Sequence, residues 1–522
     1  MELFDLLSKA GLSPEILAGN IHPVYISEIV TDSRRVEIGS LFLCLTGQRD
    51  NGHRYVRQAL LRGASAIITE AKGDACLPEA CQDTLILGVP DTRMACAQLY
   101  SAWYGHPSQK MKVVAVTGTN GKTTVIHMLK HIFEGALFRC GAIGTVQCTC
   151  GRRTVSAAPK DPLAHMTTPD PEQLYRLLAF MAAYGTDYVF MEASSHALKL
   201  HKVDAIAFES AAFTNLTPDH MDFHGTMEDY RQSKGRLFAL SRLSLLNMDD
   251  AAYPYMKEQA AGPCFSYSAL GNPAADFRAE NVINRGCEGI DYTLQSKNII
   301  MQLHCPLPGL FQLSNSLCAA SMALCHGIQP ATVQSAFYAM PPVKGRMEPI
   351  RPCDVAQALA KEKVPLQASL DFTAFIDYAH TPDALEKLLD SARSMKKKEG
   401  RVVLIFGCGG DRDPNKRPQM GKIASEKADY VILTADNSRS ERTENIIAAI
   451  LAGFSGDCPY SVIPERDGAI VFAVEQAQRD DILLFAGKGH ETYEIDATGT
   501  HDFNEKQKIA QAMAERILRR KN

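Results

Sequence analysis

The sequence lacks a strong excess of either charge. Its 55 Lys and Arg oppose 59 Asp and Glu over 522 residues, a formal net of −4. With no long basic run either, nucleic-acid binding is excluded as the main activity. Cysteine is sparse, 15 in all without a repeated spacing, which excludes a disulfide-stapled scaffold. Cys148 and Cys150 stand too close for a zinc knuckle, and no second pair follows nearby. Reduced thiols in a reducing compartment are expected. An apolar stretch of about 18 residues is also missing, so no helix is expected to span a membrane. Leu3, Phe4, Leu6 and Leu7 share a helical face near the start, but Glu2 and Asp5 interrupt it and no small-residue cleavage site follows, unlike a signal peptide. A cytoplasmic location without membrane insertion is therefore expected. What is present is ample core material: 46% apolar and 22% charged residues, enough for about three domains at roughly 150 residues each.

Composition and punctuation divide the chain into three α/β segments. Residues 1–109 hold short apolar runs (Leu41–Leu45, Ala66–Ile68, Thr84–Val89) between polar turns. His106-Pro107-Ser108-Gln109 breaks that pattern, and a second segment, 110–348, ends in Gly345-Arg346-Met347-Glu348. Pro341, Pro342 and Pro349 flank that motif and suggest a hinge. The third segment, 349–522, alternates strands with helices and closes in a basic helix around Gln507–Arg520. In the middle segment the runs Val113–Val116, Tyr188–Met191 and Ala211–Phe213 each end in polar residues. Continuous apolar runs read as buried parallel strands, whose ligands sit beyond their C-terminal ends. The third segment repeats the arrangement at Val402–Phe406, Tyr430–Leu433 and Ile482–Ala486, which implies a second pocket suited to a zwitterion.

After the first of these runs comes Gly118-Thr119-Asn120-Gly121-Lys122-Thr123-Thr124, followed by a helical stretch. In that context backbone N–H groups and the helix N-terminus draw phosphate oxygens, Lys122 neutralises charge, and Thr123 offers an oxygen to Mg²⁺. The loop is compressed: Val116 stands where the usual eight-residue pattern has glycine. Glu192, at the end of the next run, is the candidate carboxylate for that Mg²⁺, the alternative being a satisfied structural carboxylate. His220 and Lys234 carry little weight singly.

Together these strings, with Glu192-Ala193-Ser194-Ser195-His196, Thr214-Asn215, Asp219-His220, Asn247 with Asp249-Asp250, Gly345-Arg346-Met347-Glu348 and Asp377-Tyr378-Ala379-His380-Thr381-Pro382, resemble the Mur ligases, the ATP-dependent amide ligases of peptidoglycan stem-peptide assembly. Asp32-Ser33-Arg34, Gly39-Ser40-Leu41-Phe42 and Gly52-His53 resemble the UDP-binding domain of the branch that adds the third residue, and Asp436-Asn437-Ser438-Arg439 narrows the match. The resemblance covers essentially the whole chain. It implies a UDP-binding α/β domain, a central P-loop ATPase-like domain with a parallel sheet, and a C-terminal Rossmann-like domain. It also implies an ATP site of Gly118, Thr119, Asn120, Gly121, Lys122, Thr123, Thr124, Asn315, Arg346 and Asp377. Two Mg²⁺ ions would be held by Thr123, Glu192, His220 and Lys234, the last as a carbamate, and Lys122, Glu192, His220 and Lys234 would be catalytic. Ser33, Thr167, Thr168, Ser194 and Lys202 would contact UDP-N-acetylmuramoyl-L-alanyl-D-glutamate. Leu200 and Lys202 stand where the family commonly has Gln and Arg, and 349–371 reads as a longer surface insertion.

A carboxylate becomes an acylating agent only once phosphorylated, and bringing it to a triphosphate needs concentrated positive charge. A closing third domain would keep water from the acyl phosphate. For the incoming amine, Arg439 offers a fork matched to a far-end carboxylate, with Arg412 a second candidate. Glu491 would take the far-end ammonium, with Asp436, Asn437 and Gly487 completing the pocket. This favours meso-diaminopimelate over L-lysine as the added residue. Folylpolyglutamate synthetase shares the compressed loop but lacks a UDP-binding domain like residues 1–109. A non-catalytic ATP-binding assembly protein of the same fold is the reading from another class, disfavoured by intact Lys122, Glu192, His220 and Lys234. A monomer is expected.

Overall fold

The computed structural model describes residues 1–47, 50–70, 84–155, 166–360 and 371–521. In the first sheet Glu15–Ala18, Leu85–Val89, Ala66–Glu70, Ser40–Leu43 and Glu28–Val30 lie side by side in that order, parallel after the first pair. Except in the edge strand Glu15–Ala18, where Ile16 is exposed, the apolar residues are buried on both faces, which is why these strands read as unbroken runs rather than alternating ones.

The central sheet is built around Lys112–Thr117, flanked in parallel by Phe208–Phe213 on one side and Tyr188–Glu192 on the other. Because the chain leaves this strand for neighbours on both sides, a crevice opens at its C-terminal end. Cys140–Ile143 continues one flank in parallel; Ser244–Asn247, Cys264–Ser268 and Phe277–Asn284 continue the other. Ile290–Ser296 and Ile300–Cys305 then run antiparallel, and their burial alternates, as expected of a sheet edge with one wet face. The helix Lys122–Gly135 covers one face with Val125, Met128, Leu129, Ile132 and Phe133, spaced to form a single apolar stripe. On the opposite face the central core runs without interruption into that of the first sheet.

The third sheet orders Glu348–Pro349, Thr373–Asp377, Ile482–Ala486, Val402–Phe406, Tyr430–Leu433 and Tyr460–Val462, parallel except for the first pair. The segment read as a hinge is anchored here, since Met347 is fully buried and its N–H donates to Asp377 at 2.7 Å. The expectation of a surface insertion at 349–371 fails for its first part. Pro352–Ala360 is a helix packed on Glu505–Lys521, and Val355 and Leu359, one turn apart, enter the core beside Ile509 and Met513. Residues 361–370 lie outside the described residues. No helix of the described residues is long and apolar enough to cross a membrane.

One buried ion pair fixes the pocket end of this sheet. Arg466 Nε donates to Glu505 at 2.6 Å, and its two Nη groups donate to the carbonyls of Ala435 and Ala486, each at 2.9 Å. Arg466→Ala would strand Glu505 in the core and free both strand ends. It is expected to cost about 3–5 kcal/mol of stability, read as a lower denaturant midpoint, with most of the loss recovered when Glu505 is also replaced by leucine.

Candidate active site

The phosphate loop closes at the head of the crevice. Gly118 and Gly121 have φ of 148° and 89°, and a Cβ at either would collide with Thr214 or Asn315. Asn215 pins the loop from the next strand end, its Oδ1 accepting the Asn120 N–H at 2.9 Å. Half-buried Lys122 folds back over the loop and donates to the carbonyls of Gly118 and Thr119 at 2.9 and 2.8 Å. Fully buried Lys234, on the helix Met227–Ala239, donates to the same Gly118 carbonyl at 2.8 Å. Two lysine nitrogens therefore converge on one oxygen. Burial lowers the pKa of both lysines, that of Lys234 well below its ordinary value with help from the Lys122 charge.

Thr123 donates to Glu192 at 3.0 Å, joining the first turn of the helix to the end of the adjacent strand. Glu192 is 1% exposed and accepts two further bonds from Thr145, from its N–H at 2.8 Å and its hydroxyl at 3.0 Å. His220 takes a left-handed φ of 56° beside Asp219, and its ring meets His196 edge-on at 4.8 Å. Burial drives His220 down to about 4, leaving a neutral imidazole able to ligate a metal. Among the described residues no three His, Cys, Asp or Glu side chains cluster tightly enough to hold a metal alone. A hydroxyl paired with one carboxylate fits Mg²⁺ all the same, because Mg²⁺ characteristically adds phosphate and water oxygens to one or two carboxylates.

The third sheet meets this loop directly. Asn120 Nδ2 donates to Asp383 at 2.7 Å, and Arg346 Nη2 donates to the Thr123 hydroxyl at 3.1 Å. Arg346 also lies over the Tyr378 ring, 4.7 Å from its centroid. Both Asp377 oxygens accept backbone N–H groups, from Met347 and Ala379, while burial raises its pKa against the pull of Arg346. Asn315, on Gln312–Cys325, borders Gly121.

Of the residues read as meeting the sugar nucleotide, Thr167, Thr168 and Ser194 lie beside Glu192. The Thr167 hydroxyl lies 3.0 Å from that of Thr145, and Thr168 donates to the Glu192 carbonyl at 2.7 Å while accepting from the Ser194 N–H. Lys202 pairs with Asp170 at 2.5 Å. Ser33 opens the short helical turn Ser33–Arg35 beyond the strand Glu28–Val30 of the first sheet, where it donates to Gln58 at 2.8 Å; it is not brought into contact with the others.

The second pocket gathers at the strand ends of the third sheet. Asn437 Nδ2 donates to Glu491 at 2.8 Å, and a Cβ at Gly487 would press on Asp436 at 2.7 Å. Arg439 uses one nitrogen, Nη1, on the carbonyls of Gly410 and Asn437, at 2.7 and 3.2 Å. Arg412 and Arg439 both border Gly409. Arg412 itself is exposed along a cleft of about 380 Å³ between Asp411–Asn415 and Met221-Asp222. Burial, reinforced by Asp436, pushes Glu491 up to about 7.

Three family models match successive parts of the chain: the Mur ligase catalytic domain at 25–104, the Mur ligase middle domain at 116–323, and the Mur ligase glutamate ligase domain at 365–489. The chain belongs to the Mur ligase family. Among curated Mur ligases it is similar to the UDP-N-acetylmuramoyl-L-alanyl-D-glutamate--2,6-diaminopimelate ligases of Caldanaerobacter subterraneus and Geobacillus thermodenitrificans. It is 38% identical to both; the alignments cover 99% of this chain in each case, and 99% and 100% of those proteins. A solved structure of a ligase of that name superposes with a TM-score of 0.63 at 29% identity, over 95% of this chain and 96% of that one. The folylpolyglutamate synthase of Mycobacterium tuberculosis shares the fold at 17% identity and TM-score 0.60, but over only 81% of this chain. Within this Mur ligase, sequence reasoning missed Thr145 and Asp383, and it quoted Tyr378 in a motif without giving it a contact. Thr145 and Asp383 act on residues far away in the chain, and neither sits in a motif that marks it.

Proposed function

We propose that this Mur ligase joins meso-diaminopimelate to the D-glutamyl carboxylate of UDP-N-acetylmuramoyl-L-alanyl-D-glutamate, consuming ATP and releasing ADP and phosphate. The names of its full-length relatives support the substrates. The observation that carries the chemistry is the meeting, at the phosphate loop, of Lys122 on the Gly118 and Thr119 carbonyls with the Thr123–Glu192 pair. It sets a cation and a pair fitted to Mg²⁺ where a triphosphate and a carboxylate must meet.

In this reading Gly118, Thr119, Asn120, Gly121, Lys122, Thr123 and Thr124 hold the phosphates, with Asn315, Arg346 and Asp377 at the nucleoside. Thr123 and Glu192 would hold one Mg²⁺; His220 and Lys234, carbamylated, would hold a second. Bound Mg²⁺ would neutralise charge that spreads over the transferred phosphoryl oxygens. The depressed pKa of Lys234 supports the carbamate, since only a neutral amine takes up carbon dioxide. Ser33, Thr167, Thr168, Ser194 and Lys202 would orient the sugar nucleotide so that its carboxylate attacks the γ-phosphorus. The diamino acid nitrogen then attacks the acyl phosphate and phosphate leaves, completing the amide. Arg412, Asp436, Asn437, Arg439, Gly487 and Glu491 would place that nitrogen by gripping the far end of the molecule. Domain limits of 1–109, 110–348 and 349–522, a monomer and a cytoplasmic location complete the proposal; the free thiols support a reducing compartment.

The test is mass analysis of a reaction offering meso-diaminopimelate and L-lysine together. The expected product carries diaminopimelate, and phosphate release requires ATP, the UDP-dipeptide and the diamino acid. A product carrying mainly lysine, or phosphate released from ATP alone, would overturn the reading.

A further inference from the structure

Beside the groups that would touch the amino acid lies a charged side chain to which the mechanism above gives no task. Lys488 is 0% exposed, between Gly487 and Gly489 at the end of Ile482–Ala486. Its ammonium donates to Asn437 Oδ1 at 3.0 Å and to the Tyr493 carbonyl at 3.2 Å, and stands 3.8 Å from Asp436. Burying a lysine is costly, and an apolar side chain of similar length would fill the space without that cost.

We propose that Lys488 is a positioning residue of the amino-acid pocket: it fixes the orientation of the Asn437 amide and supplies the countercharge that keeps Glu491 ionised toward an incoming ammonium. The inference rests on the proposed function. Asn437 Oδ1 accepts from both Lys488 and the Ile495 N–H, the latter at 3.0 Å. A flipped amide would set its own NH₂ against two donors, so Nδ2 is committed to Glu491. The charges balance in the same way. Glu491 faces Asp436, Lys488, Arg439, Tyr378 and Tyr493 besides Asn437, and of these only Lys488 and Arg439 are cationic. Glu494 faces Lys488 from the adjoining hairpin, and Arg466 is already engaged by Glu505. Three carboxylates, Asp436, Glu491 and Glu494, thus share two cations, Lys488 and Arg439, so the loss of either cation leaves the acidic groups further uncompensated. Without Lys488, Asp436 repels Glu491 with half the compensation gone. Glu491 then holds its proton to higher pH, and a protonated acid gives an ammonium no ion pair.

The test is steady-state kinetics on the full-length enzyme. Lys488→Met is expected to raise KM for diaminopimelate at least roughly tenfold, leaving KM for ATP and for the UDP-dipeptide within about twofold. The acid limb of kcat/KM for diaminopimelate should move up by about one pH unit, and Lys488→Arg should restore it. If thermal melting shows the methionine variant unfolded, Lys488→Gln, which keeps a donor for Asn437 but not the charge, carries the same expectation. A folded neutral variant with the wild-type acid limb overturns the proposal, as does a parallel rise of all three KM values. Failure of the underlying reading is distinguishable, because wild-type enzyme would then make no diaminopimelate product, and both inferences fall.

Discussion

Alanine at position 122 is expected to lower kcat for phosphate release and ligation by at least roughly 10³-fold, with the thermal midpoint nearly unchanged. The reaction joins two anions, and the protein's answer is charge placed in advance. Lys122, from the loop's own helix, and Lys234, from Met227–Ala239, reach the same carbonyl oxygen at 2.9 and 2.8 Å. Burial lowers the proton affinity of both, and the Lys122 charge lowers that of Lys234 further. A bound triphosphate relieves that penalty for Lys122, so the ammonium is more strongly favoured once phosphate is present. Lys122→Arg should recover little. A guanidinium is a broad planar fork, whereas the two carbonyls of Gly118 and Thr119 cradle a compact point charge. Ligation by the alanine variant within tenfold of wild type, with all three substrates saturating, would remove Lys122 from the chemistry.

The parts of this arrangement that could be read from the sequence are those where local pattern and global role coincide. Val113–Val116, Tyr188–Met191 and Val402–Phe406 are strands because helices cover both faces of their sheets, and burial on both faces leaves an unbroken apolar run. The residues that follow them, Gly118 to Thr124, Glu192 and Gly407 to Asp413, lie where parallel strands end. What was not legible depends on distance in the chain. Thr145 follows a short strand in a polar stretch, and nothing around it foretells two bonds to Glu192, 47 residues on. Asp383 opens a helix in the third sheet, yet its partner Asn120 lies 263 residues earlier. Residues 349–371 read as a surface insertion because they lengthen the stretch between Glu348 and Asp377, and length says nothing of what the helix Pro352–Ala360 packs on. Val355 and Leu359 become core only because Glu505–Lys521 returns from the far end of the chain to cover them.

Arg439→Ala is expected to separate the two candidate amino acids. Under the proposed function kcat/KM for diaminopimelate should fall by about 30-fold to several thousand-fold, the equivalent of roughly 2–5 kcal/mol. Turnover of lysine, poor in the wild type, should stay level or rise. The structure gives Arg439 the features such a role needs. Its backbone takes a left-handed φ of 52°, and its N–H donates to the Ile495 carbonyl at 3.1 Å, so the residue is held in a conformation that side chains other than glycine avoid. Nη1 is tied to Gly410 and Asn437, and among the described residues Nε and Nη2 make no hydrogen bond to protein. One nitrogen thus aims the fork while the rest of it remains for a ligand carboxylate. With lysine bound, that carboxylate is missing and the guanidinium loses its partner, while the far ammonium still meets Glu491. Alanine removes the penalty along with the grip, so the ratio of the two specificity constants moves further than either constant alone. Equal losses for both amino acids would mean that Arg439 supports the loop without reading the substrate, and the choice of diaminopimelate would then have to rest on Arg412.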